Sequence, residues 1–233
     1  MRVGQIFAVA FAVLLPLELR AEEDRGWERA GETNGIVVYN RPTEGSDIQQ
    51  IKAIGEFDAP SWVVKNVLGD QANYTDFMPY TAISNILEEK PGHKVVYQYL
   101  DIPILSDRDY VLRVEERSRR DTNNEIIYEQ TWQSTVHPRS PPPDGAIRLE
   151  DTRGSWTLVS IDGGKRTRGT YRVHTDPGGA IPTFIVNATN RRAIPSLFEA
   201  IRGRLGLPQY RKTKPTTPPL ARSATEPAGR ARE

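Results

Sequence analysis

Apolar and polar positions alternate with a period of two along most of the chain, and only in two places does the period lengthen toward that of a helix. Segments 35–41 (GIVVYNR) and 48–57 (IQQIKAIGEF) predict a first β-hairpin, turned at 43–47. Pro60 then opens a short helix through Leu68 with Trp62, Val63, Val67 and Leu68 on its apolar side, and Asp76-Phe77-Met78-Pro79 ends the next segment. Further strands are predicted at 82–89, 94–101, 109–117, 125–136, 147–150, 154–161 and 167–175. Pro91-Gly92, Asn123-Asn124 and Asp162-Gly163-Gly164 supply turns between them, so the sheet is mostly antiparallel. The connection 137–145 (HPRSPPPDG) is too rich in proline for a strand and too long for a tight turn, and reads as a separate loop.

The second helical segment closes the chain. Pro177-Gly178-Gly179 ends the last strand, and Pro182 sits in a first helical turn, where its missing N–H has no partner to lose. Ile185, Thr189, Ile194, Leu197, Phe198, Ile201 and Leu205 recur at near-helical spacing, with Arg191, Arg192, Arg202 and Arg204 on the remaining surface. Pro195 is expected to kink or break this helix near its middle. One amphipathic helix after many strands predicts an α+β fold with the helix laid on the sheet, as a plug or a lid.

With 233 residues, 37% of them hydrophobic, the chain can bury one sizeable core in a single domain. Arg2, the apolar stretch 6–17 and Leu19-Arg20-Ala21 predict an export signal over 1–21, because a run of about twelve residues broken by Pro16 falls short of the roughly twenty that span a bilayer. A periplasmic or secreted protein follows, without disulfides since there is no cysteine. Residues 211–233 are basic and proline-rich and read as a disordered tail, leaving 22–210 as the folded domain. That body has 23 basic and 27 acidic residues, which gives no general surface for nucleic acid.

Chemical constellations are wanting. His174 and Asp176 lie two apart with His137 elsewhere, which is not a metal-ligand spacing. Ser155 and Ser160 stand outside any GxSxG elbow, Glu115 and Glu116 point to opposite strand faces, and no GxxxxGK[ST] loop is present. Trp27, Trp62, Trp132 and Trp156 read first as packing residues, and Asp107-Arg108-Asp109 as an ion-pair clamp at the start of a strand. No catalytic residue, metal or cofactor is assigned.

Five blocks in order resemble the START family, the steroidogenic acute regulatory protein-related lipid-transfer domains. They are WERAGETNGIVVYNR at 27–41, FMPY at 77–80, SDRDYV at 106–111, GAIRLEDTRGSW at 145–156, and DPGGAIP at 176–182 followed by the long helix. The resemblance covers about 27–207 and implies a helix-grip fold: a curved antiparallel sheet wrapped around the C-terminal helix, enclosing an apolar cavity for one lipid. It also implies that the terminal helix and the 137–145 loop form a gate, and that the protein binds and transfers a lipid without chemistry. Moving a chain of about sixteen methylenes through water costs on the order of 13 kcal/mol at roughly 0.8 per methylene, and a dry cavity lowers that barrier.

Alternation supplies candidate lining. On 109–117, Tyr110, Leu112 and Val114 share one face, and Val111, Arg113 and Glu115 the other. On 94–101 the inward set is either Val95, Tyr97, Tyr99 or Val96, Gln98, Leu100. Tyr97, Tyr99, Tyr110, Leu112, Val114, Trp132, Ile185 and Thr189 are taken as ligand-binding candidates. Several family members carry an inward arginine where this chain has Val114, which favours an apolar ligand such as a sterol over a zwitterionic phospholipid; Arg113, one residue early, would face the other way. The 137–145 loop lacks the exposed hydrophobic residues of membrane-docking members, leaving docking to a protein partner or the basic tail. A monomer is expected. The alternative is a helix-grip enzyme, a cyclase or hydrolase, with Tyr97, Tyr99, Tyr110 and Arg172 as acid–base candidates.

Overall fold

A computed structural model describes residues 25–103, 106–121, 125–179, 181 and 183–212, the side chains of 183–192 excepted. The expected leader and nearly all of the expected tail lie outside the described residues. The strands are β1 (Glu28–Thr33), β2 (Ile36–Thr43), β3 (Ser46–Phe57), β4 (Thr81–Lys90), β5 (His93–Leu100), β6 (Arg108–Arg120), β7 (Ile126–Ser134), β8 (Ile147–Arg148), β9 (Thr152–Ile161) and β10 (Arg166–Thr175). They form one curved sheet in the order β1-β2-β3-β10-β9-β7-β6-β5-β4, with neighbours antiparallel, while the two-residue β8 lies parallel to β6. The longest-range pairing in that order, among the described residues, is β3 to β10, where Thr167 to Val173 pair with Phe57 to Ile51 and bring the first hairpin beside the last strand. Predicted and observed strands agree within a few residues, except that β1 was not expected: ERAGET has no apolar alternation and sits half-exposed at the sheet edge.

Helix α1 (Ser61–Leu68) begins after Pro60, as predicted, and buries Val63, Val64, Val67 and Leu68. A 3-10 segment, Gln71–Asp76, follows it. Helix α2 (Thr183–Arg202) is continuous. Pro195 therefore does not break it: Ile194, Phe198 and Ile201 on either side are buried in the core and hold the turns in line. The short α3 (Pro208–Arg211) turns the chain back onto α1, where the Asn66 side-chain amide donates to the Tyr210 carbonyl (3.0 Å) and the Tyr210 hydroxyl donates to Asp70 (2.7 Å).

The seat of α2 is aromatic. Phe198 is fully buried, stacks on Phe57 with ring centroids 5.4 Å apart and planes 5° from parallel, and meets Trp156 edge-on at 5.0 Å. Gly55 on β3 makes room for it, since a Cβ there would stand 2.8 Å from the Phe198 ring. Arg202 then fastens the last turn of the helix, its guanidinium donating to the Glu56 carbonyl (2.9 and 3.2 Å) and the Asn34 carbonyl (3.0 Å). Gly55→Ala is expected to destabilise the fold by about 1–3 kcal/mol through overpacking against a ring that has no alternative space. Thermal unfolding measures it, and parental stability would mean that Phe198 is not seated on Gly55.

Candidate functional site

Between α2 and the sheet lies a cavity of about 330 Å³. Its floor continues the aromatic seat: Trp156 contacts Tyr171 with centroids 4.9 Å apart, and Tyr171 in turn stacks with Trp132 at 5.7 Å. Its side wall comes from two strands in register. Tyr110, Leu112 and Val114 of β6 stand opposite Gln98, Val96 and Lys94 of β5, and residues paired in this way share a face. Ile194 and Leu197 of α2 cover the floor, and Gln71, Tyr74 and Met78 close the side next to α1.

Four of the sequence candidates, Tyr110, Leu112, Val114 and Trp132, are on the cavity wall. Tyr97 and Tyr99 are not. They occupy the outer face of β5, and the inward set is Val96, Gln98 and Leu100. The physical reason is that both ends of the Gln98 amide are bonded there: it accepts from the Tyr110 hydroxyl (2.5 Å) and donates to Ser84 (3.0 Å), which donates to the Gln71 carbonyl (2.6 Å). Tyr99 instead donates to Asp107 (2.6 Å), which pushes its phenol up to about 12, and burial together with the Asp109 carboxylate raises Tyr97. Arg172 lies between the inward Tyr171 and Val173 and so faces out. The side chains of Ile185 and Thr189 lie outside the described ones.

The clamp expected at Asp107-Arg108-Asp109 is real but has other partners. Asp109, wholly buried, takes two hydrogen bonds from the Arg148 guanidinium (2.8 and 2.7 Å), and Arg148 also reaches the Ser140 carbonyl (3.3 Å). This pair ties the 137–145 loop to the outer side of β6. None of residues 137–145 lines the cavity, whose end is bounded by Tyr80, Ile102, Arg108, Leu149, Pro177 and Ile181.

Burial pushes the phenols of Tyr110, Tyr171 and Tyr74 well above the ordinary tyrosine value, so they are neutral donors throughout the physiological range. Burial also lowers the Arg108 guanidinium from its usual value, opposed by nearby Asp107.

No family model matches the sequence. Individual proteins do. The chain is 27% identical to the bovine phosphatidylcholine transfer protein over 187 residues, which covers 78% of this chain and 85% of that protein. A STAR-related lipid transfer protein from Xanthomonas axonopodis superposes with a TM-score of 0.66 at 27% identity, covering 77% of this chain and 98% of that one. Human StAR-related lipid transfer protein 5 shares the fold, with a TM-score of 0.67 at 18% identity over 81% of this chain and 90% of the other. The helix on its curved sheet, the apolar space between them and this sequence similarity along most of the domain bear out the resemblance to the START lipid-transfer proteins.

Proposed function

We propose that the protein binds one hydrophobic lipid per chain between α2 and the sheet and passes it on chemically unchanged. The observation that carries this reading is the cavity itself: an aromatic floor and a largely aliphatic wall on which Gln98 and Tyr110, opposite each other on β5 and β6, satisfy one another. A volume of about 330 Å³ is near the lower end of ligand cavities, roughly 300–1,000 Å³, which favours a sterol or single-chain lipid over the two-chain lipid named for the bovine relative. General acid–base work at neutral pH calls for a group titrating near neutrality, and the cavity phenols are held far above it. That argues against a cyclase or hydrolase.

Access is assigned to the end bounded by Ile102, Pro177 and Ile181, through movement of the first half of α2 about the Gly178-Gly179 turn, with Tyr80 and Ile83 as exposed apolar groups available for membrane contact. The leader read at 1–21 would place this work outside the cytoplasm.

Titration with a fluorescent apolar lipid should saturate at one per chain. Leu112→Asp and Val114→Arg each bury an unpaired charge on the wall and should abolish binding, while Arg113→Ala on the outer face leaves it unchanged. Normal binding by both charged variants, with the circular dichroism spectrum intact, would rule out this cavity as the lipid site.

A further inference from the structure

The inward row of β6 does not begin at Tyr110. By the same alternation it begins at Arg108, which is only 3% exposed and lines the end of the cavity. A buried guanidinium is ordinarily matched by a carboxylate, because an unpaired charge away from water is strongly disfavoured. Arg108 is matched only by main-chain carbonyls: Nε donates to Pro177 (3.4 Å) and Nη1 to Ser106. The adjacent acids are engaged elsewhere, Asp109 by Arg148 and Asp107 by the Tyr99 hydroxyl. Among the described residues, no carboxylate forms a salt bridge with Arg108.

A second group at the same end also lacks a partner. Thr152 is 5% exposed and lines the cavity, and among the described residues its hydroxyl is the one buried side-chain oxygen or nitrogen without a hydrogen bond. Its backbone is fixed by Ser134, which accepts from the Thr152 N–H (2.9 Å) and donates to its carbonyl (3.2 Å). Thr152 pairs across the sheet with Thr175, two residues before the Pro177 carbonyl that Arg108 touches, so register brings the orphan hydroxyl and the unmatched guanidinium to one end.

We propose that Arg108 and Thr152 form an oxyanion-binding end to the cavity, and that its ligand is a single-chain lipid with an acidic head, a carboxylate or a phosphate monoester. This rests on the lipid-binding reading above and replaces its sterol with a charged amphiphile. A planar guanidinium is suited to two parallel hydrogen bonds to such a head, and the threonine hydroxyl adds one donor. A sterol hydroxyl would occupy Thr152 but leave the Arg108 charge unmatched.

The test is titration of the full chain at pH 8 with hexadecanoate, hexadecyl phosphate and hexadecan-1-ol, read through the fluorescence of Trp132 and Trp156 in the cavity floor. Either acid should bind roughly tenfold to a hundredfold tighter than the alcohol, the span of one charged hydrogen-bonded contact, and the tighter of the two acids identifies the head group. Arg108→Gln should remove most of that preference, bringing the affinity of the acids down toward that of the alcohol, and Thr152→Val should narrow it. Equal binding of acid and alcohol overturns the proposal, as does an Arg108→Gln variant that weakens both alike. If Arg108→Gln does not fold, Thr152→Val decides: an unchanged ratio overturns the proposal. Failure of all three probes to bind, the alcohol included, overturns instead the lipid-binding reading on which it rests.

Discussion

Asp109→Asn should be among the most damaging single changes in this protein, lowering stability by about 3–5 kcal/mol, because it leaves the largely buried Arg148 charge without its counterion. Asp109 is inaccessible to solvent and accepts two N–H groups of Arg148 in the side-by-side geometry that a carboxylate offers and an amide does not, since one of its two positions would present N–H to N–H. The loss should exceed that pair alone. β8 is only two residues long, and it is held to β6 by this side-chain pair as well as by main-chain bonds from Ile147 to Asp107 (2.9 Å) and Leu149 to Asp109 (2.8 Å). Chemical denaturation gives the measurement. Replacing both partners with apolar residues, Asp109→Leu with Arg148→Met, should recover much of the loss, since the penalty lies in the stranded charge. A loss under about 1 kcal/mol for Asp109→Asn would show that water reaches the pair and solvates it like a surface bridge.

The same pair shows where the sequence was legible and where it was not. Period-two alternation located nearly every strand, and the proline and glycine positions located turns and helix starts, because these signals are local. The partner of Asp109 is thirty-nine positions away in the chain, and no local pattern distinguishes Arg148 from the nearer Arg108. Assigning the clamp to Arg108 hid its place on the cavity wall. Strand register failed for a related reason: the connection from Leu100 to Arg108 does not fix the parity of β5 against β6, and a shift of one residue exchanges Tyr97 and Tyr99 for Gln98 and Leu100. Given that choice, two tyrosines look like better lining than a glutamine, but a glutamine with both ends bonded fits inside at little cost. β1 carried no signal because an edge strand that buries so little needs no apolar alternation.

Raising the pH should unfold the protein cooperatively above about pH 11, and this would report directly on whether the cavity is dry. Tyr110, Tyr171 and Tyr74 all line it, and burial holds their phenols above the value near 10 at which they ionise in the unfolded chain. Between those two values the unfolded state has released protons that the native state keeps, so stability falls as pH rises. The slope is about 1.4 kcal/mol per pH unit for each phenol, or about 4 kcal/mol per unit for the three together. Against a total stability of roughly 5–15 kcal/mol, about one to four pH units are enough. Phenolate absorbance should therefore appear in two stages, the exposed tyrosines near pH 10 and the cavity tyrosines only as the circular dichroism signal is lost. Tyr171→Phe removes one contributor and should move the midpoint upward, and a bound lipid, which stabilises only the native state, should do the same. Ionisation of every tyrosine near pH 10 with the fold intact would mean that water reaches the phenols, and a wet cavity would give an acyl chain no refuge from the solvent it has to leave.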